Sequence, residues 1–478
     1  MNEKLARDFQ PVFFPRSVAV VGASKNETKF GTRYLAALLD AGFHGKVYAV
    51  HPSGGTVLGV EAYPSLQAIP EPVDYVIVSV PYQHILTVVE DCAAKGVKAV
   101  QMFTAGFRET GTPEGRALED AVAKRAREAG FRVIGPNCIG VYNPSIRMPY
   151  GMSPQVGKAG SVGIISQSGG VCSKVVKAGL LRGIHFSKVV SFGNGCDLDS
   201  PDYLEYLSED PETRIIGGYL EGVRDMGRLV ALLRKICPRK PVVLWKGGRT
   251  APGAETAASH TGSLSTPDAL WVSLSRQFGF VKVCDVDELT DALLILQHLR
   301  RSPGRKAAIV SGIMGGGGGD SVSATDTSAA LGLEVLPFAP ETRRRIQPLL
   351  PPAGCILRNP LDLGSVGPNV PALEKTLELV AADANVELII VQQPLDDLIS
   401  FLGKEAVDRI NDVFIRFAQE GPKPVLVVSQ PGAPSEGQWE MEQRLLEASI
   451  PVFPTLERAA KAVVNVDQFF RVHKDHAV

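Results

Sequence analysis

Short runs of Val, Ile, Leu and Ala alternate along the chain with longer stretches in which apolar residues recur every three or four positions, and the alternation repeats in three successive blocks. In the first block, Ser17 to Tyr142, it predicts strands at Val18–Val21, Val47–Val50, Tyr75–Val80, Ala99–Phe103 and Arg132–Ile134, and helices at Gly31–Ala41, Ile85–Lys95 and Pro113–Ala129. The second, Gly160 to Gln297, has strands at Ser161–Ile165, Lys188–Phe192, Ile215–Leu220 and Val242–Lys246, with helices at Val171–Leu181 and Asp268–Phe278. The third begins at Pro303 and has strands at Lys306–Ser311, Val386–Val391 and Val425–Val428, with a helix at Asp320–Leu331. Continuously apolar strands that alternate with amphipathic helices form parallel sheets covered on both faces. The predicted fold class is α/β, with three doubly wound domains.

Such sheets bind ligands at the carboxyl ends of their strands, which makes the residues there the candidates. The first strand ends in Gly22-Ala23-Ser24-Lys25, ahead of a helix. Backbone N–H groups and a helix N-terminus could meet an anion there, although GxGxxG is absent and a tight turn explains the glycine equally well. Later strand ends carry Pro81, Thr104-Ala105-Gly106 and Gly135-Pro136-Asn137-Cys138. In the second block, Ser166-Gln167-Ser168-Gly169-Gly170 joins a strand to a helix, where small hydroxyl and glycine residues let an anion approach the positive helix end. Gly315 to Gly319 repeats that arrangement in the third block, and Asn359-Pro360-Leu361-Asp362-Leu363 reads as a turn with two polar groups.

Gly247 to Pro267, GGRTAPGAETAASHTGSLSTP, reads as a long loop between a strand and a helix, with His260 as its one bulky reactive group. Most connections are ~4–6 residues, and longer ones are commonly functional or disordered. Imidazole is a nucleophile, acid, base or ligand near neutral pH, while an isolated loop histidine is more often merely exposed. Glu221 ends a strand of the same sheet; it is either a solvated carboxylate or the acceptor for the imidazole N–H.

Composition narrows the field. With 50 basic and 51 acidic residues, the 478-residue chain shows no charge bias toward nucleic acid or a membrane surface. The seven cysteines form no CxxC pair, which argues against a disulfide framework and a metal site. The N-terminus lacks a signal-peptide pattern and no apolar run reaches membrane-spanning length, so a reduced, cytoplasmic protein is expected.

Together Ser259-His260-Thr261-Gly262-Ser263-Leu264, Gly135-Pro136-Asn137-Cys138, Ser166-Gln167-Ser168-Gly169-Gly170, Tyr219-Leu220-Glu221-Gly222 and Asn359-Pro360-Leu361-Asp362-Leu363 carry a resemblance over essentially the whole chain. The chain resembles the NDP-forming acyl-CoA synthetases, the superfamily that includes succinyl-CoA synthetase, and within it the α subunit of the ADP-forming acetyl-CoA synthetases. The resemblance implies a Rossmann-like CoA-binding domain over 1–145, a flavodoxin-like domain with a phosphorylated histidine over 155–300, and a flavodoxin-like third ligase domain over 303–478. It places CoA against Gly22, Ala23, Ser24, Lys25, Pro81, Thr104, Ala105 and Asn137. Phosphate is placed on Ser166, Ser168, Gly169, Gly170, Gly316, Gly317 and Gly318. His260 becomes the phosphoryl carrier and Glu221 its orienting carboxylate. The stretch Ile146–Met152 departs from the family's polar, Asn-containing pattern; Arg147 in it is either a surface arginine or a partner for an acidic acyl group.

The implied chemistry is reversible: an acyl-CoA and phosphate give an acyl phosphate and CoA, His260 takes the phosphoryl group, and ADP receives it to give ATP. No ATP-grasp region is recognisable, and that fold needs on the order of another domain's worth of chain. ATP or ADP with Mg2+ is therefore expected on a separate ATP-grasp β subunit, in an α2β2 assembly. The other partners expected are a small carboxylic acid and its CoA thioester. A non-catalytic CoA-responsive binding or regulatory protein of the same fold is the alternative.

Overall fold

The computed structural model describes residues 3–261, 266–299, 301–314, 318–430 and 436–473, and of 258–261 and 436 the backbone alone. These residues form two compact units, Met1–Leu180 with Ile184–Val286, and Leu181–Gly183 with Asp287–Val478. The first predicted block and the second as far as Val286, apart from Leu181–Gly183, thus share one unit, while the end of the second block, Asp287 to Gln297, belongs to the other. Among the described residues, no helix is long and apolar enough to cross a membrane.

The first sheet runs β3-β4-β2-β1-β5-β6-β7, from β1 (Ser17–Val21), β2 (Lys46–Val50), β3 (Gly55–Val57), β4 (Val60–Tyr63), β5 (Tyr75–Val78), β6 (Ala99–Met102) and β7 (Arg132–Ile134). Every residue of β1 and β5 is buried, as parallel strands with helices on both faces require. The hairpin of β3 and β4 has too little apolar alternation to announce itself in sequence. From β1 the chain passes to β2 on one side and later to β5 on the other, so the order reverses between β1 and β5.

The second sheet runs β13-β12-β11-β9-β10-β8, from β8 (Gly140–Tyr142), β9 (Val162–Ser166), β10 (Phe186–Ser191), β11 (Ile215–Leu220), β12 (Val242–Lys246) and β13 (Val281–Val283). Its edge strand β8 pairs antiparallel with β10 and comes from the stretch allotted to the first domain. Here the order reverses between β9 and β11. The N-terminal helix Glu3–Phe13 packs on this half. Its buried Leu5, Phe9, Val12 and Phe13 recur at helical spacing, and Phe9 stacks on Tyr206 with ring centroids 4.6 Å apart.

In the second unit, β14 (Ala307–Ser311), β15 (Ile356–Leu357), β16 (Leu361–Asp362), β17 (Leu388–Gln392), β18 (Val425–Val428) and β19 (Val452–Phe453) form the sheet β15-β16-β14-β17-β18-β19, with its reversal between β14 and β17. Asn359-Pro360, read from sequence as part of a turn, leads directly into β16. The Asn359 amide donates to Ala307 O at 2.7 Å and Leu336 O at 2.9 Å, and its oxygen accepts from Ile309 N at 3.0 Å. It staples strands together within the fold. Arg458 holds the buried Asp291 through Nε and Nη2, both at 2.8 Å.

Candidate functional site

Strand ends of the first and second sheets meet around a cavity of about 590 Å3. Gly22, Pro81, Thr104, Ala105 and Asn137 line it, as do Ser168, Gly169 and Gly170. The wall therefore combines residues from two sheets that are far apart in sequence. Other expected residues stand off it. Ala23 is buried, the Ser24 N–H donates to Thr32 Oγ1 at 3.0 Å, and Lys25 is exposed. The lysine on the cavity is Lys29, immediately before the helix Phe30–Ala41. Ser166 is 1% exposed and donates to Ser168 O at 2.8 Å, so it shapes the turn behind the wall.

Backbone geometry builds the floor. Gly22 has φ +102°, and a Cβ there would lie 2.3 Å from Ser79 O, so only glycine lets the ends of β1 and β5 close up at the sheet's reversal. Gly193 at φ +53° sits equally close to Pro136 O, at 2.2 Å from a built Cβ, and brings the end of β10 against the Gly135–Cys138 turn. The helix Gly169–Leu181 starts two residues earlier than the sequence predicts. Its first-turn N–H groups face the cavity end, where Ser168 Oγ accepts from Val171 N at 3.3 Å. Phe30, Phe103 and Ile139 give the cavity an apolar side.

Glu221 is 5% exposed, not a solvated strand end. Tyr219 donates its hydroxyl to Glu221 Oε1 at 3.0 Å, and burial together with this carboxylate pushes the phenol pKa up. Gln167, on the cavity wall, accepts from the backbone N–H of Glu221. Lys246 ends the neighbouring strand fully buried; its ammonium donates to Gly247 O, and burial lowers its pKa against the opposing pull of Asp268 and Glu221.

The long loop is in fact largely helical. Ala251–Thr261 forms a helix that carries His260 in its last turn and packs against the short turn Arg108–Thr110. Its glycines and small residues suggested a loop, but proline is tolerated in a first helical turn, and Ala254, Ala257 and Ala258 favour helix strongly. The His260 side chain lies outside the described residues, so its distance to Glu221 is not part of this geometry. Arg147 is exposed and donates Nε to Ala41 O at 2.5 Å, at the end of the helix Phe30–Ala41, and it does not line the cavity.

In the second unit, Gly318 opens the helix Gly318–Leu331, while Gly316 and Gly317 lie outside the described residues. A cavity of about 380 Å3 occupies the reversal between β14 and β17, lined by Ser311, Gly312, Gln392 and Gln393 together with the carboxylates of Asp320 and Asp397. An anion there would meet a helix N-terminus that attracts it and two carboxylates that oppose it.

Gln167, named in the sequence only as part of its motif, lines the first cavity, as do Gly193 and Asn194, which sequence reasoning missed. A signal for the last two was present, since Phe192-Gly193-Asn194-Gly195 is a glycine-flanked polar residue just beyond a strand.

Comparisons with known proteins agree with this arrangement. Residues 16–144 match the family model of a CoA binding domain, and residues 159–296 that of the succinyl-CoA ligase like flavodoxin domain. The chain is 32% identical to the α subunit of acetate--CoA ligase [ADP-forming] I of Pyrococcus furiosus, over 95% of this chain and 96% of that one. It is 37% identical to acetate--CoA ligase [ADP-forming] I of Archaeoglobus fulgidus over 79% of this chain, and there it spans only 54% of the relative. The chain thus covers about half the length of that relative. A solved structure titled dinucleotide forming acetyl-coenzyme A synthetase 1 from Ca. Korarchaeum cryptofilum, in complex with phosphate and ADP, superposes with a TM-score of 0.81 at 30% identity and covers 98% of both chains. The chain belongs to the family of ADP-forming acetate–CoA ligases.

Proposed function

We propose that this chain is the CoA-binding, phosphohistidine-bearing subunit of an ADP-forming acyl-CoA synthetase, interconverting acid, CoA and ATP with acyl-CoA, ADP and phosphate. The observation that carries the reading is the first cavity, where strand ends of a CoA-binding fold and a helix N-terminus share one wall. CoA enters against Gly22, Pro81, Thr104, Ala105 and Asn137. Phosphate is held by Ser168, Gly169 and Gly170, whose helix end stabilises its charge.

In the acyl-CoA-consuming direction, a phosphate oxygen attacks the thioester carbonyl, the C–S bond breaks, and CoA leaves as the thiol. An imidazole nitrogen of His260 then attacks phosphorus of the acyl phosphate; the P–O bond to the acyl group breaks and the carboxylate departs. Glu221 supports the imidazole during transfer, and a second helix end at Gly316, Gly317 and Gly318 shares the phosphoryl charge. Finally ADP takes the phosphoryl group to form ATP. The nucleotide and Mg2+ belong on a separate ATP-grasp β subunit, in an α2β2 assembly; relatives that align over nearly their full length are named as α subunits. The acid is a small carboxylic acid, and the apolar side at Phe30, Phe103 and Ile139 favours one whose acyl group carries no second charge.

Against a non-catalytic CoA-binding protein stands the buried carboxylate of Glu221 at the sheet reversal, for which CoA binding alone has no use. Intact-mass measurement of the chain with phosphate, CoA and a panel of acyl-CoAs tests the reading. An acid-labile gain of one phosphoryl group, absent in His260→Ala, is expected. CoA binding without phosphorylation, even with the β subunit and ADP supplied, would favour the binding-protein alternative.

A further inference from the structure

Beside the first cavity lies a group of charged side chains that the reaction sequence leaves unused. Glu119, in the helix Pro113–Ala129, is 1% exposed and accepts from Arg108 Nε at 3.1 Å, Arg224 Nη2 at 2.9 Å and Asn194 Nδ2 at 2.8 Å. Glu109 accepts from the same Nδ2 at 2.5 Å, while its other oxygen takes the Gly106 N–H at 2.7 Å. Asn194 is therefore held by two carboxylates, and the two arginines balance their charge.

Ionised carboxylates only accept hydrogen bonds, so the Asn194 amide must turn its nitrogen toward Glu109 and Glu119. Oxygen and nitrogen of a carboxamide are otherwise easily interchanged; here the partners decide. Both amide hydrogens are engaged, and Oδ1 is the remaining polar atom. The backbone cannot move it away, because Asn194 N–H donates to Pro136 O at 3.0 Å and Asn194 O accepts from Arg224 Nη2 at 2.9 Å. Among the described residues nothing donates to Oδ1, yet it is not shut away from solvent, and the open space Asn194 lines is the cavity.

We infer that Asn194 Oδ1 is the acceptor for an amide N–H of the CoA pantetheine arm, with Glu109 and Glu119 as positioning residues that prevent the amide from turning over. The inference rests on the CoA-binding reading above. The pantetheine arm offers two secondary amide N–H groups and a thiol, and S–H is a weak donor. An acceptor on this part of the wall favours N–H and repels oxyanions. It thereby directs the arm to Asn194 and leaves phosphate to the helix end at Ser168–Gly170. Arg224 lies three residues beyond Glu221, and the Arg108–Thr110 turn supports the His260-bearing helix, so the same group also anchors both flanks of the relay.

The test is calorimetric titration of the full chain with CoA and with two analogues, each having one pantetheine N–H replaced by oxygen. Wild type is expected to bind CoA about tenfold more tightly than one of the analogues, the worth of a well-made hydrogen bond. Asn194→Ala should lose about tenfold in CoA affinity and treat that analogue and CoA alike. Asn194→Leu, which keeps the volume, serves if the alanine variant does not fold by circular dichroism. Glu119→Gln is judged by the ratio alone: a folded variant whose preference for the amide shrinks supports the positioning role, and an unchanged ratio overturns it. Equal binding of CoA and both analogues by wild type, or full preference retained without Asn194, sinks the inference while leaving the CoA-binding reading intact. Failure of wild type to bind CoA at all overturns both.

Discussion

The Gln167 carboxamide oxygen accepts the backbone N–H of Glu221 at 2.6 Å and that of Gly222 at 2.9 Å, which ties the loop before the helix Gly169–Leu181 to the end of β11. Gln167 N–H in turn donates to Tyr219 O at 3.0 Å. The helix end and Glu221 are thus fixed relative to one another at the sheet's reversal. Gln167→Ala leaves two N–H groups without their partner and should destabilise the chain by about 1–3 kcal/mol in denaturant titration. Gln167→Glu keeps an acceptor but adds negative charge beside Glu221 and the phosphate position. It should fold while phosphorylating poorly, as read by intact mass.

Glu221→Gln preserves shape and still offers an oxygen to the Tyr219 hydroxyl. Under the proposed function it removes the charge that would stabilise the His260 imidazole as it becomes cationic. Phosphohistidine formation should slow by about 10²-fold with little change in melting temperature. A rate close to wild type in rapid-quench measurements would show that Glu221 is structural only.

Gly22→Ala forces a Cβ onto the Ser79 carbonyl at a left-handed backbone position. The ends of β1 and β5 must part, with an expected loss of about 1–3 kcal/mol and of CoA binding together. Thermal unfolding and CoA titration of the same preparation check both.

Lys240 donates to Leu207 O at 2.9 Å and Asp210 O at 2.8 Å, and burial lowers its pKa from 10.5 to about 8. The folded chain therefore releases this proton before the unfolded chain does. Between pH 8 and 10.5 the unfolded state binds more protons, so this group's contribution to stability rises with pH across that window and is least favourable below it. Relative to Lys240→Met, wild type should gain melting temperature between pH 7.5 and about 10; a constant difference would contradict the depressed pKa.

The sheets and their glycine-rich ends were legible because buried parallel strands are apolar throughout and the turns after them need small residues. The Ala251–Thr261 helix lies in a stretch whose glycines and small residues read as a loop, whereas its alanines and the supporting surface at Arg108–Thr110 favour helix. In the sequence Glu119 is one of several charged residues of Pro113–Ala129 with nothing local to set it apart. Its burial depends on Arg108, Asn194 and Arg224, which meet only in three dimensions. Arg147, similarly, finds a helix carbonyl that local sequence does not reveal. Lys29 replaces Lys25 on the cavity because the turn after β1 folds Ser24 back onto Thr32.

The second sheet takes its edge strand from the segment that directly follows the first sheet. Cys138 and Ile139, on the cavity wall, lie in the short link between β7 and β8. These two halves are consequently not interchangeable cassettes. A hybrid joined between residues 143 and 160 would pair a foreign border strand with β10, and one joined between residues 135 and 139 would keep that strand but cut through the cavity wall at Cys138 and Ile139. Recombination among relatives should therefore conserve the pair as a single hereditary piece, with productive crossovers falling outside it.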